Sequence, residues 1–383
     1  ENVTISNQIF NNLPYYYFIR LSGSTIVLTN WSFLNCASDN NLEGGTDANI
    51  LATTIQFNSC QWISNNNTCS DESITTGGGA MILQYTPDTS PTQINFQNCK
   101  FHNNNATHNG GALYISSKAK IAIVQCEFIN NNVIYPSANN YIFGGAIYIK
   151  GLDTYSASNS TIEQSIFISN SAYDGHAIYI AGFVAIDIKN NNIFTDNGVG
   201  KAQHVIYNSE SQKFFIDRPT FNYSIQADSN PNEIRNSFYT YNEDITYTFE
   251  NRDFRSQDFR LLGDGQFNFI NCNFIDNNHR SDEPDYYTIK ARCKHFSLVG
   301  CTFQYSEDFQ RDKTHALILS SWGNITIIDS IITGSQQHSK PAGIQYEPER
   351  TPTLPFVMTN VTFSNIKGLE NDASYSSCFA IPL

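Results

Sequence analysis

Apolar residues come in short runs along this chain, alternating with polar ones, and the runs are bounded by Asn, Ser and Gly clusters. Ile121-Ala122-Ile123 and Thr326-Ile327-Ile328 are β-branched runs of this kind. Such runs predict strands, and no stretch holds a 3.6-residue period with helix caps. The pattern also repeats. Gly110-Gly111-Ala112-Leu113-Tyr114-Ile115 returns as Gly144-Gly145-Ala146-Ile147-Tyr148-Ile149 and again, altered, as Gly175-His176-Ala177-Ile178-Tyr179-Ile180. Gly78-Gly79-Ala80-Met81-Ile82-Leu83 precedes the series. Between these copies an aromatic is followed three residues later by Asn: Trp62/Asn65, Phe101/Asn104, Phe128/Asn131, Phe167/Asn170, Phe194/Asn197 and Phe274/Asn277. Two alternating phrases at this period are the signature of a solenoid.

The marker aromatics run Phe10, Phe33, Trp62, Phe101, Phe128, Phe167, Phe194, Phe221, Phe249, Phe274, Phe303, then Ile331 as a substitute, then Phe363. The base step is about 27–29 residues. Two steps of 39 carry extra residues, such as Tyr85–Pro91 and Leu152–Asn159. Insertions that leave the register intact belong to loops on one side of a stack. Short strands at constant phase predict an all-β fold, a right-handed parallel β-helix of about 12–13 coils. With rungs about 4.8 Å apart the rod would be roughly 60 Å long. A solenoid is one continuous unit, so residues 1–383 are expected to form one β-helix with an irregular or insertion-bearing stretch at 214–265.

Each phrase has a physical task in such a coil. Gly-Gly supplies a corner that needs positive φ or close approach. In the strand that follows, alternation sends Leu113 and Ile115 to the interior and Tyr114 to the opposite face. Two positions before each aromatic lies a small residue: Cys60, Cys99, Cys126, Ser165, Asn192, Cys272 or Cys301. Residues two apart share a face, so these are expected to stack beside the aromatics as an interior ladder. The Asn after each aromatic is expected to take the left-handed turn and to bond the next coil's turn, giving an Asn ladder.

The pairing of a Gly-Gly-Ala-aliphatic phrase with an aromatic-x-x-Asn phrase resembles the polymorphic outer-membrane protein repeat family, whose repeats are similar to those of large surface proteins of protists. The resemblance is clearest from Trp62 to Asn197 and nearly absent from Phe214 to Gly265. It implies a surface-displayed, pectin-lyase-like β-helix used for adhesion or surface architecture. It implies no catalytic residues.

The net charge of −13 argues against nucleic acid and anionic membranes as partners, because binding phosphates needs a basic face. No apolar run reaches the length of a membrane span. The chain opens with Glu1-Asn2-Val3-Thr4, inside a coil, and closes in another strand phrase, so it is expected to be part of a longer protein. Of nine cysteines, Cys60, Cys99, Cys126, Cys272 and Cys301 share one rung position. They read either as buried free thiols or as neighbour disulfides such as Cys99–Cys126 or Cys272–Cys301. Cys36, Cys69, Cys293 and Cys378 fall out of register and read as loop bridges. N-glycosylation sequons lie at Asn2, Asn30, Asn66, Asn105, Asn159, Asn222, Asn324 and Asn360, with Asn105 and Asn159 expected in loops.

A polysaccharide-cleaving β-helix needs carboxylates grouped on one open face. Asp174 stands alone before Gly175, and Asp196 and Asp276 share a turn position in coils that are not neighbours. Asp253, Asp258 and Asp264 fall among Arg252, Arg255 and Arg260, where the choice is between a solvated coil and a binding site. His176 and His204 replace corner glycines in successive coils, as His315 does alone. They read as polar corner residues, with a shared metal as the sharper alternative. Tyr114, Tyr148, Tyr179 and Tyr207 share one strand position, and alternation turns them outward. They are either a stacked stripe that stabilises the sheet or a contact surface for carbohydrate or protein.

These readings add up to a non-enzymatic structural or adhesive β-helix of an extracellular surface, appendage or filament. No catalytic, cofactor or metal residue is assigned, and the expected partners are other copies, surface proteins or carbohydrate. The alternatives are a pectin-lyase-like carbohydrate-active enzyme and an assembly subunit that stacks head to tail on its unpaired strand edges, with the Tyr stripe as lateral contact.

Overall fold

A computed structural model of the chain describes residues 2–13, 18–38, 47–68, 77–85, 90–134, 142–152, 160–182, 185–197, 206–208, 213–216, 220–222, 235–240, 246–251, 253–255, 258–275, 289–304, 318–333, 344–346, 356–364 and 379–380. Every regular element among them is a β-strand, and the strands pair in parallel, each with the equivalent strand of the next coil. The fold is the all-β, parallel β-helix that the repeat predicts. It divides into two compact units, Glu1–Val199 with Gln203–Phe214, and Gly200–Ala202 with Phe215–Leu383.

One coil of the first unit shows how the repeat becomes structure. It runs through the strands Gln93–Gln97, Lys100–His102, Asn105–Ala106 and Leu113–Ser117. Ile94 faces Ile55 on one side and Ile121 on the other, and Phe101 lies between Trp62 and Phe128. Alternation sends Ile94, Phe96, Phe101, Leu113 and Ile115 inward, where each is buried. In-register pairing puts like on like. The rings of Trp62, Phe101, Phe128, Phe167 and Phe194 stack with centroids 4.6, 4.7, 5.0 and 4.8 Å apart and planes within 6°. That spacing is the rung spacing of the sheet, so the backbone itself sets the ring contact.

Two left-handed residues turn each of the described coils around Trp62, Phe101 and Phe128. One lies three before the marker aromatic, as in Ser59, Asn98 and Gln125; the other lies two after it, as in Ser64, Asn103 and Asn130, all with φ between 52° and 57°. Asn and Ser tolerate this conformation better than bulky residues. The expectation that the ladder Asn takes the turn is therefore corrected by one position: the turn residue precedes it. Gly110 makes the third corner with φ +80, and Gly111 is there for close approach, since a Cβ would lie 2.1 Å from the Gly145 carbonyl oxygen.

Two polar ladders run through the interior beside these corners. Asn65, Asn104, Asn131, Asn170 and Asn197 form the first, with Nδ2 of each donating to Oδ1 of the next at 3.0, 2.9, 2.9 and 2.8 Å. Each Nδ2 also donates to the carbonyl of a marker aromatic, as Asn131 does to Phe101 at 2.8 Å. Each Oδ1 from Asn104 onward also accepts the main-chain N–H of the preceding ladder Asn. The second ladder is the small residue before the aromatic, buried throughout as Cys60, Cys99, Cys126, Ser165 and Asn192. Cys36 is corrected from a loop residue to the first rung of the Asn ladder, because its N–H donates to Asn65 Oδ1 at 2.9 Å.

The second unit keeps the same grammar in longer strands. Asp258–Ile270, Ile289–Val299 and Ile318–Ile328 build one sheet, and Asp253–Arg255, Asn273–Ile275, Thr302–Gln304, Ile331–Thr333 and Thr362–Ser364 build the marker sheet. Two markers are corrected here. Phe249 pairs with Phe269 in the long-strand sheet, and Phe254 is the residue in register with Phe274. Ile331 is 46 % exposed, while Ile332 is buried and pairs with Phe303. The left-handed corners explain both shifts: Asn251 and Asp329, with φ of 54° and 50°, stand three residues before Phe254 and Ile332. The corner fixes the phase, and side-chain type follows it. Within 214–265 the described strands include Thr246–Glu250 and Asp253–Arg255, and the pairing of Asp258–Ile270 with Ile289–Val299 shifts register between Gly263 and Gln266. Cys293 is likewise no loop residue: it is fully buried in a long strand and donates to the His295 carbonyl at 3.4 Å. Cys69 and Cys378 lie outside the described residues.

Candidate functional site

The tyrosine row is built by the register of Met81–Gln84, Leu113–Ser117, Ile147–Gly151 and Ile178–Ala181, which puts Ile82, Tyr114, Tyr148 and Tyr179 in one column. Alternation does turn them away from Leu113 and Ile115. They are nonetheless covered, at 4 %, 9 % and 8 % exposure for the three tyrosines. Tyr114 and Tyr148 stack at 5.1 Å, Tyr148 and Tyr179 at 5.2 Å, and the Phe143 ring lies on Tyr179 at 4.4 Å. Phe143 and Ala181 close over this cluster. Burial pushes the Tyr114 phenol up to about 12, against a hydrogen bond to Ser116. The open contact stripe is thus corrected to a second, small apolar core outside the main one. Tyr207 continues the column in backbone register with Tyr179, and its side chain lies outside the described residues.

Among the described residues the ion pairs form small groups along the sheets. Glu127 lies 3.4 Å from Lys100 Nζ and 3.0 Å from His102 Nε2, across one rung. Burial holds His102 below the usual histidine range, with Glu127 opposing it. Glu163 meets Lys189 at 3.6 Å and Asn190 at 2.7 Å on the next stretch of the surface. Asp253 is exposed and accepts from Asn273 at 2.8 Å. Asp258, Arg260 and Asp264 lie on the neighbouring long strand, and Arg255 beside Asp253 on the marker sheet; their side chains, and the whole of Arg252, lie outside the described residues.

Asp174 is buried at the Gly-Gly corner and accepts the Gly175 N–H at 2.8 Å. His176 takes the place of the second corner glycine, is 1 % exposed, and accepts the Ala172 N–H at Nδ1. His204, His315 and Asp276 lie outside the described residues, and Asp196 is a left-handed turn residue with φ 51°. Among the described residues no three His, Cys, Asp or Glu side chains are grouped to hold a metal.

The sequons separate by environment. Asn2, Asn30 and Asn360 are exposed. Asn66 and Asn105 are half-buried strand residues, paired with each other, so Asn105 is corrected from its expected loop position. Asn324 is half-buried opposite His295 in a long strand. Asn159 and the side chain of Asn222 lie outside the described residues.

What sequence reasoning missed is the second acceptor role of the thiol ladder. Ser165 Oγ accepts the Cys126 N–H at 3.1 Å, and Asn192 Oδ1 accepts the Ser165 N–H at 2.9 Å. The seven described cysteines are all free and buried. The rung position shared by Cys60, Cys99, Cys126, Cys272 and Cys301 was the available signal.

No family model matches the chain, and no solved structure matches it. Over an alignment 186 residues long that covers 44% of this chain, it is 28% identical to Metabotropic glutamate receptor-like protein R of Dictyostelium discoideum. The match spans 11% of that protein's length.

Proposed function

We propose that this chain is a non-enzymatic structural or adhesive β-helix displayed outside the cell. The observation that carries the reading is where the repeat's chemistry is consumed. The ladder Asn amides and the thiols are engaged in holding coil to coil, and Asp174 accepts the N–H of its own corner glycine. The acids Glu127 and Glu163 are tied to Lys100 and Lys189. Contact with a partner then falls to the outward faces of the sheets, such as Lys100, His102, Glu127 and Ile129 on the marker sheet, with no cofactor. The partial likeness to a receptor-like protein agrees with a place at the cell surface.

The test is antibody labelling of the tagged, full-length protein in its native cells. Labelling of intact cells is expected. Labelling only after permeabilisation would overturn the reading. Turnover of a polysaccharide, abolished by one Asp or Glu substitution, would replace it with the carbohydrate-active alternative.

A further inference from the structure

The sequons differ in more than exposure. Asn30 and Asn360 occupy the same place in the coil, three residues before the markers Phe33 and Phe363, with φ of 56° and 53°. A left-handed corner swings the side chain outward between two strands. Trp31 then enters the interior ladder position, and Ser32 starts the next strand. At Asn360 the same three steps run through Val361 and Thr362.

The amide chemistry at these corners leaves room for a substituent. Asn30 Nδ2 donates one hydrogen bond, to Asn7 Oδ1 at 3.1 Å, and Asn360 Nδ2 donates one, to Asp329 Oδ1 at 2.8 Å. An N-linked sugar keeps one amide N–H, so each bond survives attachment. The strand sequons are different. Asn105 lies directly between Asn66 and Asn132 in a sheet whose rungs are about 4.8 Å apart. A glycan there has neighbouring side chains on both sides. The Asn66 and Asn324 Oδ1 atoms are already buried. The ladder asparagines Asn65, Asn104, Asn131 and Asn170 use both amide N–H groups, and none of them begins a sequon: Asn131 is followed by Asn132-Val133 and Asn170 by Ser171-Ala172.

We propose that Asn30 and Asn360 are N-glycosylation sites of the folded protein, and that Asn66, Asn105 and Asn324 stay unmodified. The biological setting rests on the extracellular reading above. In the transfer, a bond forms between Nδ2 and the sugar C1 of an oligosaccharide carried on a polyprenyl pyrophosphate. The C1–oxygen bond to the pyrophosphate breaks, the polyprenyl pyrophosphate leaves, and one Nδ2 proton is lost. Both glycans would project from coil corners and leave the sheet faces open.

The experiment is to secrete the chain from eukaryotic cells behind a heterologous signal peptide, release the glycans with an amidase in heavy-oxygen water, and map the labelled Asp by mass spectrometry. Because the signal is supplied, the result does not depend on where the native protein resides, which the cell-labelling test decides separately. Label is expected at positions 30 and 360, and N30Q and N360Q should each remove one glycan mass without lowering secretion. Absence of label at either corner, or label at Asn66, Asn105 or Asn324 in the secreted folded fraction, would overturn the assignment.

Discussion

Each coil of the first unit turns twice through a left-handed residue around its marker aromatic, and the two corners are held differently. After the aromatic, an Asn amide satisfies both its N–H groups and its oxygen and links the coil on either side. Before the aromatic, from Cys60 to Asn192, a thiol, a hydroxyl or the single Asn192 takes the same place. Both ladders do one task, which is to accept the main-chain N–H that the corner removes from the sheet: Asn104 N–H to Asn131 Oδ1 in one, Cys126 N–H to Ser165 Oγ in the other. The difference lies in the donors. An amide nitrogen supplies two, one of which reaches an aromatic's carbonyl; a thiol or hydroxyl supplies one, as Cys99 Sγ does to Phe57 O at 3.3 Å. Both corners present a carbonyl as well as an N–H, and one donor suffices for the first, so Cys, Ser or Asn fills it; the second amide N–H also links each Asn to the oxygen of the next, and that place is Asn wherever it is described from Asn65 to Asn197.

Breaking the stricter ladder should cost most. Asn131→Ala leaves the Asn104 main-chain N–H, one Asn104 side-chain N–H and the Phe101 carbonyl without partners. At about 1–3 kcal/mol for each buried orphan the loss is on the order of 5 kcal/mol, read as a fall in denaturation midpoint with an unchanged slope. Phe128→Ala opens a cavity between Phe101 and Phe167 and should cost roughly 3–5 kcal/mol in the same measurement. A smaller loss would mean that the ring column collapses easily.

Tyr148→Ser addresses the outer column. Because the ring is buried between Tyr114 and Tyr179, about 3 kcal/mol of stability should go, with the sedimentation behaviour of the folded fraction unchanged. Loss of self-association at constant stability would restore the contact-stripe reading.

The tolerant ladder gives the smallest effects. Cys99→Ser should stay within about 1 kcal/mol of the parent, since serine already fills that position at Ser165 and Ser330. Alkali should separate the parent from a variant that lacks these thiols. Burial raises the Cys99 thiol above its ordinary 9.0, and a hydrogen bond with Cys99 followed by burial does the same at Cys60. The fold therefore prefers the neutral thiols. Their contribution is complete below about pH 9 and is lost as rising pH ionises the unfolded chain and then approaches the folded values. The melting temperature should fall above about pH 9, and less steeply in a Cys60→Ser, Cys99→Ser double variant. Equal slopes would show that the thiols are not the titrating groups.

The errors in reading the chain share a cause. Side-chain type and spacing point to Phe249 and Ile331, but the phase belongs to the left-handed residue three positions before each marker, here Asn251 and Asp329, and Asn, Ser, Gln, Asp and Gly all fill that place. The Asn ladder was legible because its residue type is nearly constant from Asn65 to Asn197. The thiol ladder was legible as a position and not as a hydrogen-bonding role, since Cys, Ser and Asn look unrelated until the N–H they accept is seen.

The sequence by itself determined the fold class, the inward residues and the in-register stacking, because strand alternation and a repeating corner are local properties that each coil carries in full. Only the tertiary structure decided that Tyr114, Tyr148 and Tyr179 are covered, that Cys36 and Cys293 are core residues, and that Asn30 and Asn360 are open while Asn66 and Asn105 are not. Alternation says which face a side chain takes. Whether that face meets water depends on segments far along the chain, such as Phe143 over Tyr179, and no local pattern records them.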